Sequence, residues 1–233
     1  MTTPDQAKKL DALLKRLEKK SGPDAESAKT PPAPEGVDPI VHALVHSFMV
    51  WEAGPKAAAK ALNAFASEFV DYNELRICMS DELAGILPKK YPAAEERCER
   101  LRVVLNEIFA RQHALTLAPL AEQPKREARA YLDALGGITP FVAARVSLLA
   151  LGAHGFPVDA RLAQRLAKEG VCDADETPES VSVRLERHIR AGQAEGAYLL
   201  IEAWSDGRAG KIAATGTRGT GRSRSSRASS RAS

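Results

Sequence analysis

The residue in this chain best placed to do chemistry is an aspartate. Asp159 follows the Gly- and Pro-containing run GAHGFPV and precedes ARLAQRLAKEG, which has helical periodicity. A carboxylate there can accept the orphan backbone N–H groups of the helix start, and a helix N-terminus favours its ionised form. An ionised carboxylate can also stabilise a developing cation or orient an attacking water. The two roles are compatible, and the local sequence leaves both open.

A second set of residues lies just upstream, in LGGITP at 135–140. Leu135 and Ile138 are suited to anchor a tight turn, and Gly136 and Gly137 to let the backbone come close to a ligand. Thr139 is a natural cap for the next helix, with Pro140 at its first position. Such a turn exposes consecutive N–H groups at the positive end of a helix, an arrangement that binds phosphate. The alternative is a plain turn between two packed helices. Lys125, Arg126 and Arg129 lead into the turn and can meet phosphates or simply solvate a helix face. His42 and His46 stand four apart, a metal-pair spacing, but no third ligand follows at an obvious position, so both are read as partly buried histidines. Cys78, Cys98 and Cys172 are too scattered for a disulfide framework or a metal cluster and read as reduced thiols.

The elements that must position these residues all read as helices. Apolar residues make up 44% of the 233 and aromatics 5%, and alanine and leucine dominate over β-branched runs. Helical periodicity or capping signals mark 5–20, 39–51, 55–70, 71–78, 80–87, 92–113, 124–135, 140–151, 159–169, a helix starting at Thr177–Pro178 and a last one from Gly196 to Trp204. Leu10, Leu13, Leu14 and Leu17 form a stripe that needs a partner surface, on its own domain or on another protein. The chain divides into an N-terminal helix with a Pro-rich linker (1–37), a helical domain (38–206) and a tail (207–233). No apolar stretch reaches transmembrane length and no secretion signal opens the chain, which points to a cytoplasmic protein without a membrane partner.

Charge is unevenly spread. The chain carries a formal +3, yet 207–233 alone holds six arginines and one lysine with no acid, so the rest is net acidic. Arg218, Arg222 and Arg224 lie in this Arg/Ser-rich, low-complexity run. Such a tail binds polyanions without sequence preference and with strong salt dependence.

The stretch LGGITPFVA, followed after one helix by Val158-Asp159, resembles the helix-hairpin-helix and aspartate region of the endonuclease III-like DNA glycosylases. Their pattern there is L-P-G-V-G-x-K-T-A, then a helix, then an apolar loop and V-D. DPIVHALVHSFMVWEAGPKAAAKAL is similar to that family's first core helix and the turn after it. The resemblance covers about 38–206. It implies an all-α, two-lobed fold containing a helix-hairpin-helix, with double-stranded DNA as partner and a nucleoid-associated setting. It implies Asp159 as the catalytic carboxylate and Gly136, Gly137, Ile138, Thr139 and Arg161 among the DNA contacts. Trp51 and Glu52 fall where relatives fill the gap left by a flipped base, and Phe141 is a base-pocket residue or a packing one.

The departures from the pattern shape the expected activity. Phe141 stands at the position of the lysine that lets bifunctional relatives cleave the strand, so no lyase activity is expected. Thr139 replaces the second hairpin glycine. No cysteine follows Trp204, so neither an iron–sulfur cluster nor another cofactor is expected. The reading is a monofunctional DNA N-glycosylase of base-excision repair. Its rivals are a catalytically silent DNA-binding module of the same fold and a protein-interaction module using the leucine stripe at 5–20.

Overall fold

The computed structural model describes residues 4–20 and 27–206. Every regular element among them is helical: α1 (Pro4–Lys20), α2 (Pro39–Val50), α3 (Pro55–Glu68), α4 (Tyr72–Ile77), α5 (Ser80–Ile86), α6 (Ala94–Gln112), a 3₁₀ turn (Ala118–Ala121), α7 (Lys125–Asp133), α8 (Pro140–Leu149), α9 (Ala160–Lys168), α10 (Pro178–His188) and α11 (Ala191–Asp206). The starts follow local chemistry. Pro39, Pro55, Pro140 and Pro178 open their helices, where a missing N–H costs nothing. Asp38, Asp71, Thr139, Asp159 and Thr177 accept N–H bonds at their caps.

One expected boundary fails for a tertiary reason. α11 begins at Ala191 rather than Gly196, taking Gly192 and Gly196 into its first turns. A buried face on α11, with Ala194, Ala197, Tyr198 and Ile201, outweighs the roughly 1 kcal/mol that each helical glycine costs. The 3₁₀ turn has Pro119 near its start, and the Thr116 hydroxyl accepts from Ala118 N at 3.2 Å. The second carboxylate oxygen of Asp38 fixes it by accepting bonds from Leu117 N and Ala118 N, each at 2.8 Å.

The helices build two cores. α2 to α8 pack around Val45, Phe48, Leu101, Leu105 and Val142. α9 to α11 form the second, around Phe156, Leu162, Leu185 and Tyr198. The chain's beginning joins its end: Leu10, Leu13 and Leu17 of α1 are buried in this second core, where α1 packs on α11. The leucine stripe therefore finds its partner surface within its own chain. The later part of the Pro-rich linker is also docked rather than free, since Ala28 is fully buried in the same core.

One buried side chain joins these parts. Arg145 of α8 is fully buried. Its guanidinium donates to Ala28 O at 2.9 Å, Ser47 Oγ at 3.0 Å, Tyr198 Oη at 3.1 Å and His46 Nδ1 at 3.2 Å. Burial and the arginine's charge push the His46 pKa well below its ordinary value, so the ring stays neutral and Nδ1 accepts. His42 is engaged elsewhere, with Nδ1 2.6 Å from Tyr72 Oη and the two rings stacked. Among the described residues no group of three or more His, Cys, Asp or Glu could hold a metal, and no helix is long and apolar enough to cross a membrane. Replacing Arg145 with methionine keeps bulk but leaves the Ala28 carbonyl, Ser47 and Tyr198 without this donor. We expect a loss of about 2–4 kcal/mol in urea unfolding; an unchanged midpoint would mean that water serves these groups equally well.

Candidate functional site

The site is built where α2 ends and α9 begins. α2 stops at Val50 and the chain turns sharply through Trp51, Glu52, Ala53 and Gly54. Gly54 lies at φ +83°, a conformation that strains any residue with a Cβ, and it packs against the Asp206 carboxylate. The Asp206 carboxylate accepts from Lys56 N at 2.6 Å and ties this turn to the end of α11. Glu52 also adopts the left-handed region, at φ +57°. That conformation costs a residue with a Cβ about 1–2 kcal/mol, and two sets of hydrogen bonds hold it.

The first set runs from Glu52 to Asp159. Asp159 Oδ1 accepts from Leu162 N at 2.7 Å as the cap of α9, and Oδ2 accepts from Glu52 N at 2.8 Å. The second runs back: the Glu52 carboxylate accepts from Ala160 N at 2.7 Å and Arg161 N at 3.2 Å. Two carboxylates thus share the N-terminus of one helix, each using the other's segment. Burial, and next the negative charge of Asp159, raise the Glu52 pKa above its ordinary value, against the pull of the Ala160 and Arg161 N–H groups.

Arg161 is turned inward rather than toward solvent. Its Nη1 lies 2.5 Å from Ser205 Oγ, Nη2 pairs with buried Glu202, and Nε is 3.6 Å from Asp159 Oδ2. Burial opposes its charge, but Glu202 and Asp159 outweigh that and hold it firmly protonated. This guanidinium, expected among the DNA contacts, is committed within the protein. Arg97, which no sequence signal marked, is buried beneath the same turn. It donates to the Phe48 carbonyl and to Pro92 O, with its guanidinium carbon 5.4 Å from the Trp51 ring centroid.

A cleft of about 280 Å³ opens between the two cores. Trp51, Glu52, Ile138, Thr139, Phe141 and Asp159 all line it, with Arg100, Pro178 and Glu179 at its walls. The structure therefore brings the aspartate, the hairpin end and the two residues after α2 to one place. Phe141 is almost wholly buried, and no lysine lines the cleft.

The hairpin differs from the open anion cradle read from its sequence. Gly137, at φ +80°, is packed on α6, where a Cβ would lie 2.9 Å from Arg100 O. The Gly136 N–H is already taken by the Glu107 carboxylate, which also pairs with Arg111. An internal acid thus sits where an anion was expected, because α6 packs its Glu107 edge against the turn. Gly137, Thr139 and Phe141 donate no N–H bond to a protein acceptor among the described residues. The other basic residues are on α7: Lys125 Nζ donates to the Leu151 carbonyl, Arg129 pairs with Asp133 at 2.9 Å, and Arg126 is exposed. Arg218, Arg222 and Arg224 lie outside the described residues.

No protein-family profile matches the chain, and no curated protein matches it in sequence. Solved structures do match. An endonuclease III–DNA covalent intermediate is 13% identical, with a TM-score of 0.61 over 86% of this chain and 85% of that one. A thermostable thymine-DNA glycosylase is 16% identical, with a TM-score of 0.54 over 86% of each chain. The H. pylori 3-methyladenine DNA glycosylase bound to 1,N6-ethenoadenine is 15% identical, with a TM-score of 0.57 over 86% of this chain and 97% of that one. The chain thus has the all-helical fold of the endonuclease III-like DNA glycosylases.

The double use of Asp159 predicts its energetic weight. Asp159→Ala removes the α9 cap and leaves the Glu52 N–H and the Arg161 guanidinium facing a vacated buried site. We expect a loss of about 2–3 kcal/mol in chemical denaturation. Asp71→Ala, the same change at the exposed cap of α4, is the control, at about 1 kcal/mol. Equal losses would reduce Asp159 to an ordinary cap.

Proposed function

We propose that this chain binds double-stranded DNA, accepts an extruded nucleotide in the cleft, and hydrolyses its N-glycosidic bond as a monofunctional DNA glycosylase of base-excision repair, at the nucleoid. The observation that carries this reading is the convergence of Asp159, Glu52, Trp51 and Phe141 on one cleft beside the hairpin. A base must leave the duplex stack to be removed, and a cleft with an aromatic wall and a carboxylate floor suits that need. As the base departs, positive charge grows on the sugar, and carboxylates at the α9 N-terminus oppose it. With Phe141 in the wall and no lysine lining the cleft, the proposal contains no Schiff-base strand cleavage.

A second reading has an observation in its favour. The Asp159 side chain has 0% exposure and both its oxygens are engaged. That suits a DNA-binding module in which the aspartate is structural. The two readings part over base release. We expect preference for a duplex carrying an abasic-site analogue over an intact one, surviving removal of 207–233 across a salt series. On a panel of damaged-base duplexes we expect Asp159→Asn to keep binding and lose base release. Equal binding that vanishes with the tail would defeat the glycosylase reading, and binding without release from any duplex would favour the module.

The hairpin supplies a separate test. Glu107→Gln removes a negative charge from the turn that is to meet a phosphate. Duplex affinity should rise severalfold at low salt and converge with the parent at high salt. Unchanged affinity at low salt would take the hairpin out of the DNA-binding face.

A further inference from the structure

The two carboxyls at the start of α9 are not equivalent. Asp159 is sealed by its own hydrogen bonds, whereas Glu52 is only half-buried and lies on the cleft wall. Both line the cleft, and Glu52 is the more exposed of the two. The side chain is also fixed in place, because its backbone N–H is bound to Asp159 and its oxygens to Ala160 N and Arg161 N. A left-handed backbone at a glutamate is a conformation that the surroundings must hold, and such residues cluster at functional sites.

We infer that Glu52 is the carboxyl that meets the extruded nucleotide and exchanges a proton with it, with Asp159 a fixed anion behind it. This rests on the reading of the cleft as a nucleotide site. The charged groups around Glu52 come from three helices: Asp159 and Arg161 at the start of α9, Arg97 and Arg100 on α6, and Glu179 on α10. Burial and the Asp159 charge together outweigh the arginine and the two N–H bonds, so the Glu52 carboxyl keeps its proton to higher pH than the ordinary 4.5. A proton donor in contact with the ligand and an anion behind it divide the work that hydrolysis requires.

The step balances without a further reactant beyond water. The C1′–N bond breaks and its electron pair stays on the base nitrogen. The Glu52 carboxyl passes its proton to the departing base and becomes a carboxylate. Water adds through oxygen to C1′, and the proton it loses returns to Glu52. One water is consumed and the carboxyl is restored.

The test needs no knowledge of the natural lesion. Two duplexes are compared with the full chain from pH 4 to pH 7, taken as about the range a raised carboxyl titrates in. One carries a neutral tetrahydrofuran abasic analogue and the other a pyrrolidine analogue, whose ring nitrogen stays protonated. Loss of the Glu52 proton as pH rises creates an anion facing that nitrogen. The ratio of pyrrolidine to tetrahydrofuran affinity should therefore climb about tenfold, with a midpoint above the ordinary glutamate value. Glu52→Gln should flatten the climb in the ratio of the two affinities. Glu52→Asp, a check should the glutamine variant fold poorly, should keep the climb with a shifted midpoint. A climb unchanged in both variants would overturn the inference and pass the role to another carboxyl. Absence of any abasic preference in the parent chain would overturn the reading of the cleft itself, before Glu52 is reached.

Discussion

The fold depends on a buried positive charge that receives no carboxylate bond among the described residues. Arg145 is held by three hydroxyls, of Ser47, Tyr198 and Thr30, a histidine nitrogen and a backbone carbonyl. Its five donors form a rigid planar fork, and only a set of acceptors arriving from several directions can satisfy it. Those acceptors come from α2, α11 and the segment before α2, so the arginine fixes three distant parts of the chain against α8 at once. Removing a guanidinium from water is costly, and the structure offsets that cost only when all of these parts are in place. The arginine thereby joins the linker end and α11 to α2 and α8, while α1 is held in the second core by its leucines.

The α9 N-terminus applies the same logic on a smaller scale. A helix start has unsatisfied N–H groups and a positive dipole end, and two carboxylates from opposite sides of the cleft are drawn to it. Asp159 comes from α9 itself and Glu52 from the turn after α2, so the interaction closes the floor of the cleft across the two cores. The floor is a structural clamp, its acids facing Arg161 and the N–H groups of the α9 start. The hairpin beside it has the opposite arrangement: Glu107 reaches from α6 to the Gly136 N–H, and a donor that could face a ligand is satisfied internally. Glu107 thus covers part of the turn between α7 and α8.

The sequence by itself determined the helices and most of their ends. Prolines at first positions, Asp and Thr caps and leucine spacing act within a few residues, so they are legible without a structure. It also carried the identity of the all-α fold through LGGITPFVA and Val158-Asp159, and the absence of a lysine at Phe141. Only tertiary structure decided where the leucine stripe of α1 goes, because an apolar face specifies that it must be covered and not by what. It likewise decided that Arg161 faces Glu202, that Glu107 fills the hairpin and that Glu52 lies on Asp159. Each of these pairs joins residues between 29 and 107 positions apart. Contacts at that separation depend on how helices pack, and one-dimensional spacing holds no record of it.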